Sequence, residues 1–253
     1  MLQVHKVIPD YLRQQIESRT QTFPNPPYVA NSFNIQDINE GWGKINLDKY
    51  SLNITSLPSG YSPFQLFDEI RKNLSQFIVG GDFDSVIKYG SVFNFAAAVT
   101  LEPYSPEDGV VWNSENPIGA AMDFDTFLDT STVVCVDYSE DEMFWTFATV
   151  YSWDHSGHFV SGLRQFGLES NGQGGYSFYL RGADRLGGAL DYLANGLETG
   201  NDYLYLGAGD ANWKNFMELL ENYLLKKPGA SVEHFDKSRT YGKRHWYVEG
   251  GCP

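Results

Sequence analysis

Apolar positions near the start of the chain recur every four residues: Val4, Ile8, Leu12 and Ile16. That spacing predicts an amphipathic helix over 4–20, with Pro9 setting its firm start near residue 10. A Pro- and Asn-rich connector, TFPNPPYVANS, follows. The period then changes to two. In GKINLDKYSLNITSL (43–57), Ile45 and Leu47, then Tyr50, Leu52 and Ile54, alternate with polar residues. This predicts a strand, and the slip of phase at Lys49–Tyr50 predicts a β-bulge there. After the turn PSGY, Ser62 and Pro63 have the character of an N-cap and first helical residue. Phe67, Ile70, Leu74 and Phe77 form one stripe behind them, and Gly80-Gly81 end the helix.

Residues 82–117 are less regular: GSVFNFAAAVTLEP suggests a strand and YSPEDGVVWNSENP a loop. From Gly119 the chain becomes a meander of five short strands: GAAMDFDTF, STVVCVDYS, MFWTFATVYSW, VSGLRQFGLES and GYSFYLRGAD. The turns between them leave no room for crossover helices, so neighbours must run antiparallel. A Gly- and Asn-rich stretch, LGGALDYLANGLETGNDYLYLG, holds at most a short helix. The last long element is DANWKNFMELLENYLLKK. Asp210 is its expected cap, Trp213, Phe216, Leu219, Leu220, Tyr223 and Leu224 its wide apolar stripe, and Lys226, Lys227 and Gly229 its end. The tail suggests one more strand.

A sheet with one apolar face needs a partner, and the final helix is the obvious one. The expected fold is therefore α+β, a curved antiparallel sheet wrapped on a long C-terminal helix. Residues 1–42 would be an N-terminal helix and connector, 43–227 the main domain, and 228–253 a tail packed on it.

Charge narrows the partners. Thirty-two acidic residues against 18 basic give a net charge of −14. Nucleic acid is not an expected ligand, because phosphate neutralisation needs clustered Lys and Arg. The basic, aromatic tail (Lys237, Arg239, Tyr241, Lys243, Arg244, Trp246) is better explained by folding onto the protein's own acidic surface. No membrane insertion is expected, since no long apolar run exists, and the N-terminus lacks a signal-peptide core. The expectation is a cytoplasmic protein. Two cysteines, Cys135 and Cys252, make neither a disulfide framework nor a zinc spacing. No metal or cofactor is expected.

Candidate chemistry concentrates in HFVSGLRQFGLESNGQGGYSFYLRGADR (158–185). Strand alternation puts Arg164 with Phe166 and Leu168, and Arg181 with Tyr179. The hairpin turn could bring both arginines into one region, depending on the strand register. An arginine fork among aromatics suits an anion or carbonyl clamp; the competing reading is pairing with Asp184 or Glu169. His158 and His155, in WDHSGHF, have loop positions suited to a general base or simply to a turn. A separate signal is Asp123-x-Asp125-Thr126 with Gly209-Asp210-Ala211-Asn212, which looks like the nucleophile and magnesium motifs of haloacid-dehalogenase-like phosphatases. That reading requires a parallel sheet, and the antiparallel meander argues against it.

The element order over 43–227 resembles the helix-grip superfamily of START domains, the birch-pollen allergen and polyketide cyclases. Residues 143–185 are most similar to a bacterial family of uncharacterised helix-grip proteins. The shared pattern falls on Phe147, Thr149, Gly157-His158, Gly162, Arg164, Phe166, Gly167, Phe178, Arg181 and Arg185, with Phe159 where that family has proline. The resemblance implies a cavity between sheet and C-terminal helix for a small apolar or amphipathic molecule. Candidate ligand contacts are then Trp145, Tyr179, Asp184, Arg185, Trp213 and Phe216. Some members of the superfamily are cyclases or hydrolases, and for such an activity His158, Arg164 and Arg181 are the candidate catalytic groups. A cavity filled by side chains would instead leave an interaction module.

Overall fold

The computed structural model describes residues 7–24, 27–78, 100–125, 130–155, 157–188, 204–239 and 241–245. Its helices are α1 (Asp10–Glu17), α2 (Pro63–Lys72), α3 (Pro106–Trp112) and α4 (Leu204–Leu225). Its strands are β1 (Thr20–Pro24), β2 (Pro27–Asn31), β3 (Phe33–Ile35), β4 (Trp42–Ser56), β5 (Thr100–Pro103), β6 (Ala121–Asp125), β7 (Thr130–Ser139), β8 (Phe144–Ser152), β9 (Val160–Ser170), β10 (Tyr176–Leu186), β11 (Ser231–Val232) and β12 (Gly242–His245). The main sheet is antiparallel, in the order β11-β4-β10-β9-β8-β7-β6-β5. β12 also pairs with β4, and β3 with the end of β8. The five meander strands are β6 to β10, and the long C-terminal helix lies on the sheet, as expected.

The sheet face towards α4, the inner face, carries Tyr50, Leu52 and Ile54 of β4, Trp145 and Phe147 of β8, Phe166 and Leu168 of β9, and Phe178 and Leu180 of β10. Phe216, Met217, Leu220 and Leu224 of α4 close on it, with Phe67 and Ile70 of α2 and Trp112 of α3. Rings meet rings throughout: Trp145 stacks on Phe166 at 5.1 Å, and Phe178 on Phe216 at 6.0 Å. Each such side chain contributes about 1.5–3 kcal/mol by leaving water.

The outer face is covered too. Leu12 and Ile16 of α1, with Phe33 and Ile35 of β3, bury Ala121, Val134, Ala148, Val150 and Leu163. Ile38 covers Ile45, Leu47 and Ala183. This second layer overturns the expected bulge. β4 pairs with β10 without a break from Ile54↔Tyr176 to Asn46↔Asp184. Ile45 and Leu47 point outward while Tyr50, Leu52 and Ile54 point inward, so the apolar pattern changes face without the backbone changing register. The irregularity lies instead between Asp184 and Leu186.

Three further expectations need correction. YSPEDGVVW is a helix, α3, not a loop: Ser105 caps it by accepting from the Asp108 N–H, with Pro106 in its first turn. α4 starts at Leu204, so Asp210 is a residue inside it rather than its cap. The α2 helix ends at Lys72, and a 3-10 turn (Leu74–Gln76) carries Leu74 and Phe77 into the core. Ser62 caps α2 in a reciprocal box with Gln65. Most of the strand expected over 90–103, and most of the Gly- and Asn-rich stretch after Gly187, lies outside the described residues; the last four residues of the former are β5.

Candidate functional site

At one end of the inner face the aromatic packing gives way to charge. Arg164 projects from β9 towards α4. Its Nη1 donates to Asp48 Oδ1 at 2.8 Å, and its Nη2 to Asp48 Oδ2 at 3.0 Å and Asp184 Oδ2 at 2.9 Å. Asn46 Nδ2 donates to Asp48 at 3.1 Å and Asp184 at 3.4 Å. The Trp213 ring of α4 covers the guanidinium, 4.6 Å from its centroid. Register explains the geometry. Arg164 lies opposite Gly182, and Gly182 opposite Asp48. A Cβ on Gly182 would meet Arg164 Cζ at 2.7 Å and Asp48 Oδ1 at 3.0 Å, so only glycine leaves room for the fork.

Burial disfavours the arginine's charge, but Asp48 and Asp184 outweigh it and push its pKa above the ordinary value. Burial likewise pushes the Asp184 carboxyl up; Arg164 opposes this and Asp48 adds to it. One turn of α4 away, Asp210 accepts from Tyr50 Oη at 2.7 Å and pairs with Lys214 at 2.8 Å.

His158 stands beside this cluster. Buried Gln36 grips its backbone from both sides: His158 N donates to Oε1 at 2.9 Å and Gln36 Nε2 donates to the His158 carbonyl at 2.7 Å. The Val160 N–H donates to the ring Nδ1 at 3.2 Å. That bond leaves the imidazole hydrogen on Nε2. Burial, with the Arg164 charge adding, lowers the His158 pKa to about 4, so the ring is neutral at pH 7. Phe124 lies 6.4 Å from the imidazole and also 6.4 Å from Trp213. His158, Phe124, Arg164 and Trp213 all keep partial contact with solvent although sheet and helix enclose them.

The structure places the other sequence candidates elsewhere. Trp145 and Phe216 lie fully buried in the aromatic core. Arg181 does not join Arg164. It is paired with Gln165, one residue out of phase with Arg164, and so lies on the outer face. There its Nε donates to Gln165 Oε1 at 2.9 Å and its guanidinium sits 4.9 Å from the Tyr179 ring. Tyr179 also donates to Gln165, at 3.1 Å. Arg185, likewise outside, donates to the carbonyls of Gly43 and Ile38 at 3.0 and 3.3 Å. The hairpin thus splits the two arginines rather than uniting them. Asp48, Asn46, Phe124 and Gln36 are the neighbours that sequence reasoning missed; Asp48 was legible as the one acid in phase with Tyr50, Leu52 and Ile54.

The phosphatase reading is overturned on geometry. Asp123 lies on the outer face, where it accepts from Thr132 Oγ1 at 2.8 Å and meets His155 Nε2 at 3.3 Å. Asp210 lies across the sheet on α4, and the intervening strands are antiparallel. Among the described residues no group of three or more His, Cys, Asp or Glu is placed to hold a metal ion. Nor is any described helix long and apolar enough to cross a membrane.

Among solved structures, the chain is similar to Ara h 8.0201, at 11% identity over 72% of this chain and 99% of that one, with a TM-score of 0.42. It is similar also to major latex-like protein 151 from Panax ginseng, at 11% identity over 70% and 97%, with a TM-score of 0.35. The architecture is a helix grip. That assignment rests on the strand order and on the C-terminal helix packed against the inner face. No family model matches the sequence, and no curated protein does. At the charged end of the inner face Arg164, held by Asp48 and Asp184, lies against the Trp213 ring of α4.

Proposed function

We propose that the protein binds a small, largely apolar molecule under α4, at the end of the inner face where Phe124, His158, Arg164 and Trp213 converge. The observation that carries this reading is the state of His158. Its Nδ1 is occupied by Val160, its pKa is depressed to about 4, and its Nε2–H is left as a neutral donor among aromatic rings. Such a group suits a carbonyl or hydroxyl on an otherwise apolar ligand. Arg164 is already satisfied by two carboxylates, so its part is to frame the space with Trp213 rather than to capture an anion.

The reading is tested by native mass spectrometry of the purified protein followed by denaturing extraction, and by titration with the fluorescent apolar probe 1-anilinonaphthalene-8-sulfonate. A retained mass of a few hundred daltons, or saturable probe binding weakened about tenfold in His158→Leu, is the expected result. A mass equal to the polypeptide together with no saturable probe binding overturns it.

An enzyme acting in the same space is the second reading, and Asp184 favours it. Burial raises this carboxyl, the Arg164 charge acts both on it and on the neutral His158, and groups with separated pKa values are the usual acid–base arrangement. Here His158 is the base and Asp184 the acid. Turnover of an ester or polyketide-like substrate, lost in Asp184→Asn with affinity kept, would establish it.

A further inference from the structure

The apolar cover of the outer face ends at one row of the sheet: Ala148, Leu163, Ala183 and Leu47, opposite one another on β8, β9, β10 and β4. The next row on that face is polar throughout: Thr146, Gln165, Arg181 and Lys49. Arg181 and Lys49 are therefore like charges directly opposite each other, an arrangement that costs stability. Both also lie against one ring. The Arg181 guanidinium is 4.9 Å from the Tyr179 centroid, and Lys49 Nζ is 5.2 Å from it.

Lys49 is offset by Glu169 at 3.0 Å, but those side chains are 37% and 45% exposed, so the pair is weak. Arg181 has no such offset. Arg13, Arg19, Arg71, Arg164 and Arg239 each hold a carboxylate. Among the described residues Arg181 meets none, and its acceptor is the neutral amide of Gln165. Gln165 Oε1 takes Nε and Nη2 of Arg181 and also the Tyr179 hydroxyl, three donors on an oxygen with two lone pairs. Gln165 Nε2 donates to Thr146 Oγ1 at 3.2 Å, which fixes the amide's orientation. Gln165 and Thr146 are buried, whereas Arg181 is half-buried. A buried scaffold thus sets the plane of the guanidinium and leaves its Nη1 end open.

We infer that the outer face holds an anion site, formed by Arg181 with Lys49, that takes the carboxylate of a small molecule. Residues directly opposite have Cβ atoms about 5 Å apart, so one carboxylate spans both cations. It offsets the like charges and satisfies the fork that Gln165 only partly serves. A single charge fits better than a phosphate dianion, because the exposed Glu169 and Glu142 both act on the Tyr179 hydroxyl from the rim of the same patch. A small ligand fits better than an acidic protein, which the net charge of −14 would repel. The site lies on the opposite face of the sheet from α4 and does not depend on a ligand there.

The test is titration of the intact chain with 4-fluorobenzoate, followed by fluorine NMR and by the Arg181 Nε–H resonance. The neutral 4-fluorobenzamide is the control and inorganic phosphate the competitor. Saturable binding of 4-fluorobenzoate that shifts the Arg181 resonance is expected, with no such shift from 4-fluorobenzamide. Arg181→Met is expected to weaken binding about tenfold or more, and Arg181→Lys nearly as much, because it keeps the charge and loses the fork. Lys49→Met is expected to weaken it about threefold. Melting temperatures close to that of wild type separate loss of the site from loss of the fold. Equal affinity in wild type and Arg181→Met, or binding that leaves the Arg181 resonance unmoved, would overturn the inference by placing the carboxylate elsewhere. Absence of saturable binding would overturn it by leaving water as the partner of the fork. Phosphate binding more tightly than 4-fluorobenzoate would overturn the assignment to a singly charged carboxylate. None of these outcomes bears on the ligand proposed under α4, which the native mass spectrum reads separately.

Discussion

Arg164 and Arg181 lie on neighbouring strands of one hairpin, a single register step apart, and their circumstances differ in almost every respect. Arg164 faces α4, with 15% of its side chain exposed, two carboxylates gripping its fork and an indole across it. Arg181 faces outward, where a neutral glutamine and a tyrosine ring receive it. The difference teaches that in this sheet the face, rather than the residue or its neighbours in sequence, decides what an arginine does. A buried charged group is tied to the compensation around it, and removing it leaves two acids without their counter-charge. A half-exposed arginine hydrogen-bonded to an amide can leave with little consequence for the fold.

The contrast has measurable edges. Arg164→Met is expected to destabilise the fold by about 3–5 kcal/mol in urea denaturation, because Asp48 and Asp184 stay buried without a counter-charge. Adding Asp48→Asn and Asp184→Asn to that variant should recover much of the loss; a triple variant no more stable than the single one would show that packing under Trp213, not charge, accounts for the arginine.

The next effect is one of pH. The folded-state pKa of His158, about 4, lies below the ordinary value of 6.5. The unfolded chain therefore binds the extra proton between those values, and the contribution of His158 to stability falls as pH drops from about 6.5 to about 4. The full shift is worth at most about 3 kcal/mol, less because the ring keeps some solvent contact. Asp184 acts with the opposite sign. Its raised pKa makes the folded state the better proton binder above the ordinary carboxyl range, so its contribution weakens as pH rises through its folded pKa. His158→Leu should flatten the acid limb and leave the Asp184 limb; an unchanged acid limb would contradict the neutral histidine.

Gly182→Ala tests the room beside the Arg164 fork. Its methyl would overlap the guanidinium, with an expected loss of about 1–3 kcal/mol and a shifted Trp213 fluorescence environment. The smallest effect belongs to Arg181→Met, expected within about 1 kcal/mol of wild type. A loss as large as that of Arg164→Met would mean that the outer face carries a buried site of its own.

What could be read in the sequence follows from where one face of an element meets water. α2 was legible down to its cap because Ser62-Pro63 opens an apolar stripe that has a polar back. The meander strands were legible from their turns. The face of each arginine was not, because β8 and β9 are buried on both sides and alternation disappears: every residue from Phe144 to Val150 is buried. The same double burial made the phase change in β4 look like a bulge. Nothing in 158–185 announces that residues far upstream, Ile35 to Ile38, cover the outer face. α3 carries the same Ser-Pro opening as α2 and was missed because its seven residues, about two turns, hold too few apolar residues to form a stripe.

β4 has a further consequence. A strand of fifteen residues at the flank of the meander would ordinarily present a row of free N–H and C=O groups, a template on which another chain can add itself. Here β12 covers Ile45–Asp48 and β11 covers Ile54–Ser56. The tail after α4 thus occupies, within the same molecule, backbone groups of β4 on which another chain could otherwise pair.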